Sequence, residues 1–493
     1  ATVNAQQINL IPEPVAVTAT TGTFSLNEEV AVVAAKNLQP QADFLKEMLL
    51  KEANIIISVG KTSKNKRIIK LEINGKLQLP EEGYSLSVTP QAVTVSAPNV
   101  KGIFYGIQSL RQLITETGEI PCVEIEDWPR FGWRGLMLDV SRTFLPVNLL
   151  KRYIDLMALY KLNTLHWHLT DDQGWRIEIK KYPLLTEVGS KFSPQANRMG
   201  GYYSQEDVKD IIRYASERNI TIIPEIEMPG HSLETLISYP QFACTGTDME
   251  KLIKRGIIPC CDDHTALEAL CAGNEDVFLF LDGVIAEVSA LFPSKYFHVG
   301  GDEVPKGPWK TCSKCQKIIA DNHLADENAL QGYFMQRVQK ILEKYGKTMV
   351  GWDEILLESQ LPEDIVGMCW RSREYVKKLS NEGHKVIATP TDPLYFDYNY
   401  KSNSSRNVYE YNPAENLSSE AASNLLGMQA NFWSHIDCSE IRIDRQLFPR
   451  LIALAAAAWT PVTQKDWQQF QPKLEAHYKR LEQMHVDYYK PEP

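Results

Sequence analysis

Two acidic residues, Asp302 and Glu303, stand side by side in the segment FHVGGDEVP, after an apolar run and two glycines. The run predicts a buried strand, and the glycines predict a tight turn at its end, where neighbouring side chains diverge. Glycoside hydrolysis normally uses two carboxylates from different strands, one as the acid and the other as nucleophile or base. Because adjacent carboxylates cannot readily flank one bond, this pair indicates a single protein acid, with the substrate itself supplying the nucleophile, as a 2-acetamido group can do.

A metal site is the alternative use of such residues. His166 and His168 alternate in HWH and would face the same way on a strand, as a pair of zinc ligands can. Histidines inside a barrel strand more often donate to carboxylates, and no recognisable motif supplies a third ligand. Cys312 and Cys315 form a lone CxxC, without a second CxxC or a nearby histidine pair, which we interpret as a small bridge or two free thiols. We therefore expect no metal and no cofactor.

From residue 128 the chain alternates buried runs with helix-capable segments, a pattern that predicts an α/β fold. Polar and aromatic residues follow the end of nearly every run. In a (β/α)8 barrel these ends converge on one mouth, whereas in a doubly wound sheet, the alternative, they would be spread along an edge. We therefore predict a (β/α)8 TIM barrel catalytic domain over residues 128–493. Its expected strands are RGLMLDVS, TLHWHLT, TIIPEIE, YFHVGGDE, TMVGWDE, IVGMCWR, KVIATPT and LGMQANFW.

Residues 1–127 have a different pattern. Short β-branched runs such as ANIIISVG, RIIKLEI and YSLSVTPQAVTVSA alternate with turn residues, and KGIFYGIQSLRQLI carries apolar residues at helical spacing. These features predict a small α+β domain in front of the barrel. The segment IEDWPRFGWRG, with its proline and paired aromatic residues, indicates the boundary.

Composition excludes several classes of partner. The 493 residues are 44% hydrophobic and 23% charged, as in globular proteins, with a net charge of −10. The acidic balance argues against nucleic acid, because phosphate binding needs a basic face. No run approaches about eighteen apolar residues, so no membrane span is expected. The oligomeric state is not predicted by the sequence.

Four of the nine cysteines crowd one stretch rich in Gly and Asp: Cys244, Cys260, Cys261 and Cys271. We expect a long surface loop stapled by a disulfide between Cys244 and Cys271, a feature that is rare in cytosolic enzymes. The chain starts without an initiator methionine or an apolar leader, so a cleaved signal peptide would not be visible. Export to a periplasm or a cell surface is the expectation.

The motifs GLMLDVSR, LHWHLTDDQGWR, PEIEMPGH, HVGGDE and GWDE occur in this order. Together they closely resemble the family 20 β-N-acetylhexosaminidases, bacterial members in particular, over the whole chain. The resemblance implies an exo-acting, retaining hydrolase that removes terminal β-linked GlcNAc or GalNAc from a glycan by substrate-assisted catalysis through an oxazolinium intermediate. A disaccharide-releasing hydrolase and a GlcNAc-binding protein without activity are the alternatives.

The resemblance also implies roles for individual residues. Glu303 would be the general acid and then the base, Asp302 would orient the acetamido N–H, and Tyr395 would donate to the acetamido oxygen. Asp171 and His231 would support the acid, or alternatively only tie loops together. The implied sugar-binding residues, for which core packing or ordinary salt bridges are the alternatives, are Arg142, Trp352, Trp370, Trp433 and Asp397.

One position departs from the family pattern. In FWSHID, His435 stands where a sugar-binding glutamate is expected. A histidine can donate a hydrogen bond and carry positive charge, so we hypothesise that the protein accepts GlcNAc with a 6-sulfate. Alternatively, neutral His435 donates to O4, or Asp437 or Glu440 takes the place of the glutamate.

Overall fold

The structure is a computed structural model that describes residues 8–490, except 28, 62–66, 192–199, 249, 251–267, 358–360 and 437. The described residues form a seven-stranded mixed sheet followed by a closed barrel of eight parallel strands. The predicted fold class, a TIM barrel preceded by a small domain with a sheet and helices, is confirmed. None of the described helices is long and apolar enough to span a membrane.

The N-terminal sheet has the order β1-β7-β5-β6-β4-β2-β3. Its strands are β1 Ala16–Ser25, β2 Val30–Ala34, β3 Ser58–Gly60, β4 Arg67–Ile73, β5 Tyr84–Val88, β6 Ala92–Ala97 and β7 Glu119–Asp127. Two helices, Gln39–Ala53 and Val100–Leu113, belong to this part of the chain. The second lies directly on the sheet, since a Cβ atom at Gly106 would come within 2.4 Å of Cγ1 of Val95 in β6.

The barrel closes in the order β12-β13-β14-β15-β16-β17-β8-β9. Its strands are β8 Trp133–Asp139, β9 Thr164–His168, β12 Thr221–Glu225, β13 Tyr296–His298, β14 Thr348–Trp352, β15 Val366–Cys369, β16 Lys385–Ala388 and β17 Leu425–Phe432. A small hairpin, β10 Thr170–Asp171 and β11 Gly174–Trp175, follows the second barrel strand. Each of the eight predicted runs overlaps one barrel strand, with the bounds of β8 and β17 beginning one residue earlier than predicted, so the expected strands are confirmed.

The helices of this part differ in length from one connection to the next. Between β14 and β15 the described residues form only the short helix Glu354–Leu357. The other α-helices of the described residues in this part are Val147–Leu159, Leu184–Glu187, Gln205–Ser216, Leu233–Ser238, Glu275–Leu291, Gly307–Thr311, Ser313–Asp321, Glu327–Lys344, Arg373–Asn381, Thr391–Leu394, Ser405–Glu410, Ser419–Asn424, Glu440–Leu447, Arg450–Trp459 and Trp467–Gln483.

Asp127, the last residue of the sheet, joins the sheet to the barrel. Its buried carboxylate accepts hydrogen bonds from Tyr84 Oη at 2.7 Å, Lys161 Nζ at 2.9 Å and Trp459 Nε1 at 2.8 Å. Lys161 and Trp459 belong to the barrel part of the chain. From the end of β7 and the start of β8 we propose that the two domains are residues 1–127 and 128–493, with this contact between them.

We expect Asp127→Asn to destabilise the whole chain. Burial already lowers the pKa of Lys161 while Asp127 opposes that shift, so the substitution leaves a buried ammonium group without its counter-charge. The cost of breaking such a pair is about 3–5 kcal/mol. Thermal unfolding measures it. Glu81→Gln, which breaks the exposed pair between Lys101 and Glu81, is the control and should change the midpoint little. Equal shifts in the two variants would contradict the role of Asp127.

Candidate active site

The turn after β13 separates the two adjacent carboxylates. Gly300 and Gly301 have φ values of 65° and 91°, and Glu303 itself has φ 48°. A Cβ atom at Gly300 would lie 1.6 Å from Oε2 of Glu227, so a side chain there would have to displace that carboxyl group, and the left-handed φ of Gly300 also favours glycine. The turn leaves the Asp302 side chain 12% exposed and that of Glu303 46% exposed. The two side chains therefore diverge, one into the barrel and one into the mouth.

The His231 ring lies between the carboxylates of Asp302 and Glu303 on one side and that of Asp171 on the other. Its Nδ1 is 3.2 Å from Oδ1 of Asp171, and its Nε2 is 3.5 Å from Oε2 of Glu303 and 3.7 Å from Oδ2 of Asp302. The backbone of His231 is also left-handed, with φ 45°. Strained residues of this kind cluster at functional sites. The pairing of Asp171 with His231, and of His231 with Glu303, is the arrangement that the sequence resemblance implied.

Burial and neighbouring charges shift the pKa values of His231, Glu303 and Asp302 in different ways. Burial works against the charged form of His231, but Asp171 outweighs it, so the pKa of His231 lies well above its usual value. The hydrogen bond from His231 holds the pKa of Glu303 below its usual value, although burial opposes the shift. Burial raises the pKa of Asp302 to about 7, supported by the charges of Glu225 and Glu303 and opposed by His231. A sugar that displaces water from Glu303 would disfavour its charged form and raise its pKa.

Glu225, at the end of β12, lies fully buried beneath this cluster. Its carboxylate contacts Nδ1 of His168, lies 2.8 Å from Nε2 of His166 and 2.9 Å from Nδ1 of His298, and accepts a 2.9 Å hydrogen bond from Nε1 of Trp352. Burial lowers the pKa of His168, but Glu225 outweighs it and the pKa rises to about 10. Burial lowers the pKa of His166 to about 4.

The HWH histidines are thus partners of a carboxylate, although His166, Glu225 and His298 are also close enough to share a metal ion. Sequence reasoning missed Glu225 as a site residue. The signal was available in TIIPE, where Glu225 ends a mostly apolar strand.

Aromatic rings form one wall of the mouth. The ring centroids of Trp352 and Trp433 are 5.8 Å apart, and Tyr395 stacks on Trp370 at 6.3 Å with 20° between the planes. Burial and the charges of nearby carboxylates, including Asp302, raise the pKa of Tyr395 well above its usual value, so its hydroxyl stays a donor. The predicted aromatic residues therefore lie together beside Asp302.

Glu354 is a second site residue that sequence reasoning missed. It accepts a 3.0 Å hydrogen bond from Nε1 of Trp370, and burial together with the charge of Asp302 raises its pKa to about 9. The sequence feature that could have identified Glu354 is its place as the last residue of the motif GWDE.

Arg142 and Asp397 lie at the outer part of the same mouth. Arg142 Nη1 is 2.6 Å from Oδ2 of Asp171, and the guanidinium group lies 4.9 Å from the ring centroid of Trp433. Burial raises the pKa of Asp397 to about 7. Nε2 of His435 is 3.7 Å from Oδ2 of Asp397, and the His435 side chain is 41% exposed. The structure thus brings all of the predicted site residues into one connected group.

The predicted disulfide is wrong. Cys244 and Cys271 are free thiols, as are Cys312 and Cys315. For the CxxC pair the free thiols are therefore confirmed and the small bridge is wrong. The four Sγ atoms lie within 4.8 Å of one another. Sequence reasoning looked for a second CxxC, whereas the second pair comes from two cysteines far apart in another connection. Cys260 and Cys261 lie outside the described residues.

Comparisons with known proteins show the family of this chain. The model "Glycosyl hydrolase family 20, catalytic domain" matches residues 131–462, and "Glycosyl hydrolase family 20, domain 2" matches residues 7–128. A beta-hexosaminidase of Porphyromonas gingivalis is 40% identical over 99% of this chain, and one of Vibrio furnissii is 35% identical over 77%. The chain spans about 65% of the length of each of these relatives.

Solved structures are similar over nearly the whole chain. The GH20 exo beta-N-acetylglucosaminidase of Vibrio harveyi, in complex with N-acetylglucosamine, has a TM-score of 0.90 at 31% identity and covers 99% of this chain and 79% of its own. A beta-N-acetylhexosaminidase of Bacteroides fragilis has a TM-score of 0.86 at 31% identity, and the match covers 97% of this chain and 96% of its own.

We expect Asp302→Asn to raise the melting temperature more at pH 8 than at pH 5. The folded-state pKa of Asp302 is raised to about 7, so the folded protein loses stability as the pH rises toward that value and the buried carboxyl becomes charged. Asparagine has no such charge, and the gain should be a few degrees. Glu303→Gln is the control, because His231 holds the pKa of Glu303 below its usual value and no gain is expected. The same change at both pH values would contradict the burial of the Asp302 charge.

Proposed function

The chain belongs to glycosyl hydrolase family 20, and from this premise we propose that it is an exo-acting β-N-acetylhexosaminidase that removes terminal β-linked GlcNAc or GalNAc from glycans. The observation that carries the proposal is the divergence of Asp302 and Glu303 at the barrel mouth, with His231 in reach of both. This arrangement supplies one exposed acid and one buried carboxylate. It does not place two carboxylates on opposite sides of one bond.

In the proposed mechanism Glu303 acts first as an acid and then as a base. It gives a proton to the glycosidic oxygen as the bond from that oxygen to the anomeric carbon breaks. It then takes a proton from the water that opens the intermediate. Its exposed carboxyl group and its contact with His231, which is itself held by Asp171, support this role.

The acetamido group of the substrate is the proposed nucleophile. Its carbonyl oxygen forms a bond to the anomeric carbon as the leaving group departs, which gives an oxazolinium intermediate and overall retention after hydrolysis. Asp302 accepts a hydrogen bond from the acetamido N–H and stabilises the positive charge, while Tyr395 donates to the acetamido oxygen. The position of Tyr395 between Trp370 and Trp433, with the charge of Asp302 acting on its hydroxyl, supports this assignment. Trp352 and Trp433 then enclose the methyl group and the sugar face.

The outer residues would bind the far side of the sugar. Arg142 is held by Asp171 and stacked on Trp433, which fixes its guanidinium group beside the ring and would orient it toward the sugar hydroxyls. Asp397 and His435 face each other where O6 is expected. We propose that GlcNAc with a 6-sulfate is accepted here, because His435 can donate to the sulfate. Below about pH 7 Asp397 is mostly protonated and does not repel the sulfate.

Turnover of an aryl β-GlcNAc tests the activity. Glu303→Gln should reduce kcat by about 10²- to 10⁴-fold. With a substrate whose leaving group is very good, Glu303→Gln should reduce kcat much less, because the glycosidic oxygen then departs without being protonated. Asp302→Asn should lose activity with either leaving group, and a thiazoline mimic of the cyclised acetamido group should inhibit the native protein strongly.

Three results would contradict this proposal. Binding of GlcNAc by the native protein without turnover of the aryl substrate would contradict hydrolase activity and indicate a GlcNAc-binding protein. Release of disaccharides from a GlcNAc oligomer would contradict exo action on single sugars. Near-normal kcat in Asp302→Asn would contradict the role of the acetamido group.

The 6-sulfate proposal predicts a ratio of kcat/KM between sulfated and unsulfated aryl β-GlcNAc that depends on residue 435. A charge-assisted hydrogen bond contributes about 1.5–3 kcal/mol, so His435→Glu should lower the ratio by about 10- to 100-fold. His435→Gln, a neutral donor, is the matched control and should fall between the two. The ratio should also fall as the pH rises through about 7, because Asp397 then becomes charged. A native ratio as low as that of His435→Glu would overturn the proposal and leave ordinary hexosaminidase activity untouched.

A further inference from the structure

Four cysteines from two connections of the barrel meet in one buried cluster. Cys244 follows the short 3-10 helix Pro240–Phe242, and Cys271 precedes the helix Glu275–Leu291, so both belong to the connection between β12 and β13. Cys312 and Cys315 belong to the connection after β13, at the start of the helix Ser313–Asp321. The residues are between 0% and 5% exposed. We define them as the thiol cluster: Cys244, Cys271, Cys312 and Cys315.

The spacing of the sulfur atoms fits a tetrahedron. The Sγ atom of Cys271 is 3.6 Å from that of Cys312 and 3.7 Å from that of Cys315, and Cys244 is 3.9 Å from Cys315. Four thiolates around zinc at about 2.3 Å are about 3.8 Å from each other, which is the edge of the tetrahedron. A disulfide needs about 2.05 Å between sulfur atoms. The cluster therefore has the size of a metal site and not of a pair of bridges.

Donors from the surrounding chain favour thiolates. The Sγ atom of Cys312 accepts hydrogen bonds from the backbone N–H of Thr245 at 3.4 Å and from its hydroxyl at 3.2 Å. Hydrogen bonds of this kind are the usual outer support of metal-bound cysteines.

The backbone segment around Cys271 packs tightly against the CxxC segment. A Cβ atom at Gly273 would lie 2.3 Å from the carbonyl carbon of Lys314 and 2.5 Å from the backbone nitrogen of Cys315. Trp309, just before the CxxC, donates from Nε1 to the carbonyl oxygen of Leu270 at 3.1 Å. The backbone on either side of Cys271 is thus fixed against the CxxC segment.

We propose that the thiol cluster binds one Zn²⁺ ion through four thiolates, as a structural site. Each thiol gives up a proton when its sulfur binds the ion, and no electrons are transferred. Four protein ligands fill the tetrahedral shell, so no position is left for a water molecule or substrate. Soft thiolate ligands in a tetrahedral arrangement select zinc over magnesium or calcium. The site is separate from the carboxylates of the barrel mouth.

The ion would connect the two loops that carry the candidate catalytic residues. His231 lies in the connection after β12, and Asp302 and Glu303 lie in the connection after β13. The backbone N–H of Leu270, next to Cys271, donates to the carbonyl oxygen of Pro229 at 2.8 Å. Pro229 is two residues before His231. Zinc would therefore hold the His231 loop in a fixed position against the loop of Glu303.

Metal analysis of the native chain, purified without chelator, tests the proposal. We expect one zinc per chain, and X-ray absorption at the zinc edge should show four sulfur neighbours at about 2.3 Å. Cys315→Ser and Cys271→Ser should lower the zinc content several-fold. Cys122→Ser, which changes a buried free thiol outside the thiol cluster, is the matched control and should keep the zinc.

A measurement on the native protein avoids the possibility that the variants fail to fold. A mercurial reagent that titrates the thiols should release one zinc per chain, and removal of zinc should lower the melting temperature until zinc is returned. Four alkylatable thiols without metal, a mass that shows disulfides among the four, or iron in place of zinc would overturn the proposal. So would a Cys315→Ser protein that keeps its zinc with four sulfur neighbours.

Discussion

The turn from Gly300 to Glu303 passes directly against the carboxyl group of Glu227. Glycine is favoured at position 300 because its backbone is left-handed and because a Cβ atom there would overlap Oε2 of Glu227. The turn continues through left-handed backbone at Gly301 and Glu303. The turn buries Asp302 and exposes Glu303, so two identical functional groups acquire different environments. Their different pKa shifts follow from that constraint and from the position of His231.

The rest of the site is arranged around this separation of charge. Cationic His231 joins Asp171 to Glu303, and below it Glu225 is balanced by His168, whose pKa is raised to about 10. A chain of paired charges of this kind keeps buried carboxylates tolerable in a low dielectric. Both connections that carry the catalytic candidates also contain cysteines of the thiol cluster, so the same two loops are joined at a second point.

Much of the fold could be predicted from the sequence because each barrel strand is a compact apolar run, and polar residues follow at its carboxyl end. ANIIISVG was less informative. The helix before it continues to Ala53 and ends at Asn54 in left-handed backbone, so only Ser58–Gly60 is a strand. The thiol cluster escaped prediction because its contacts join residues 41 to 71 positions apart, and no local spacing encodes them. The sequence shows glutamates at positions 225 and 354. Their burial next to histidines, tryptophans and Asp302 depends on the closed barrel and could not be predicted from the sequence.

The central claim is that the substrate supplies the nucleophile, with Asp302 holding its acetamido group. The most direct measurement is kcat/KM for aryl β-GlcNAc substrates whose N-acetyl group carries zero, one, two or three fluorine atoms. Fluorine withdraws electrons from the acetamido oxygen and weakens it as a nucleophile. The account predicts a steep and continuous fall in kcat/KM across the series. A rate that stays nearly constant would show that the acetamido oxygen does not attack the anomeric carbon, and it would contradict the account.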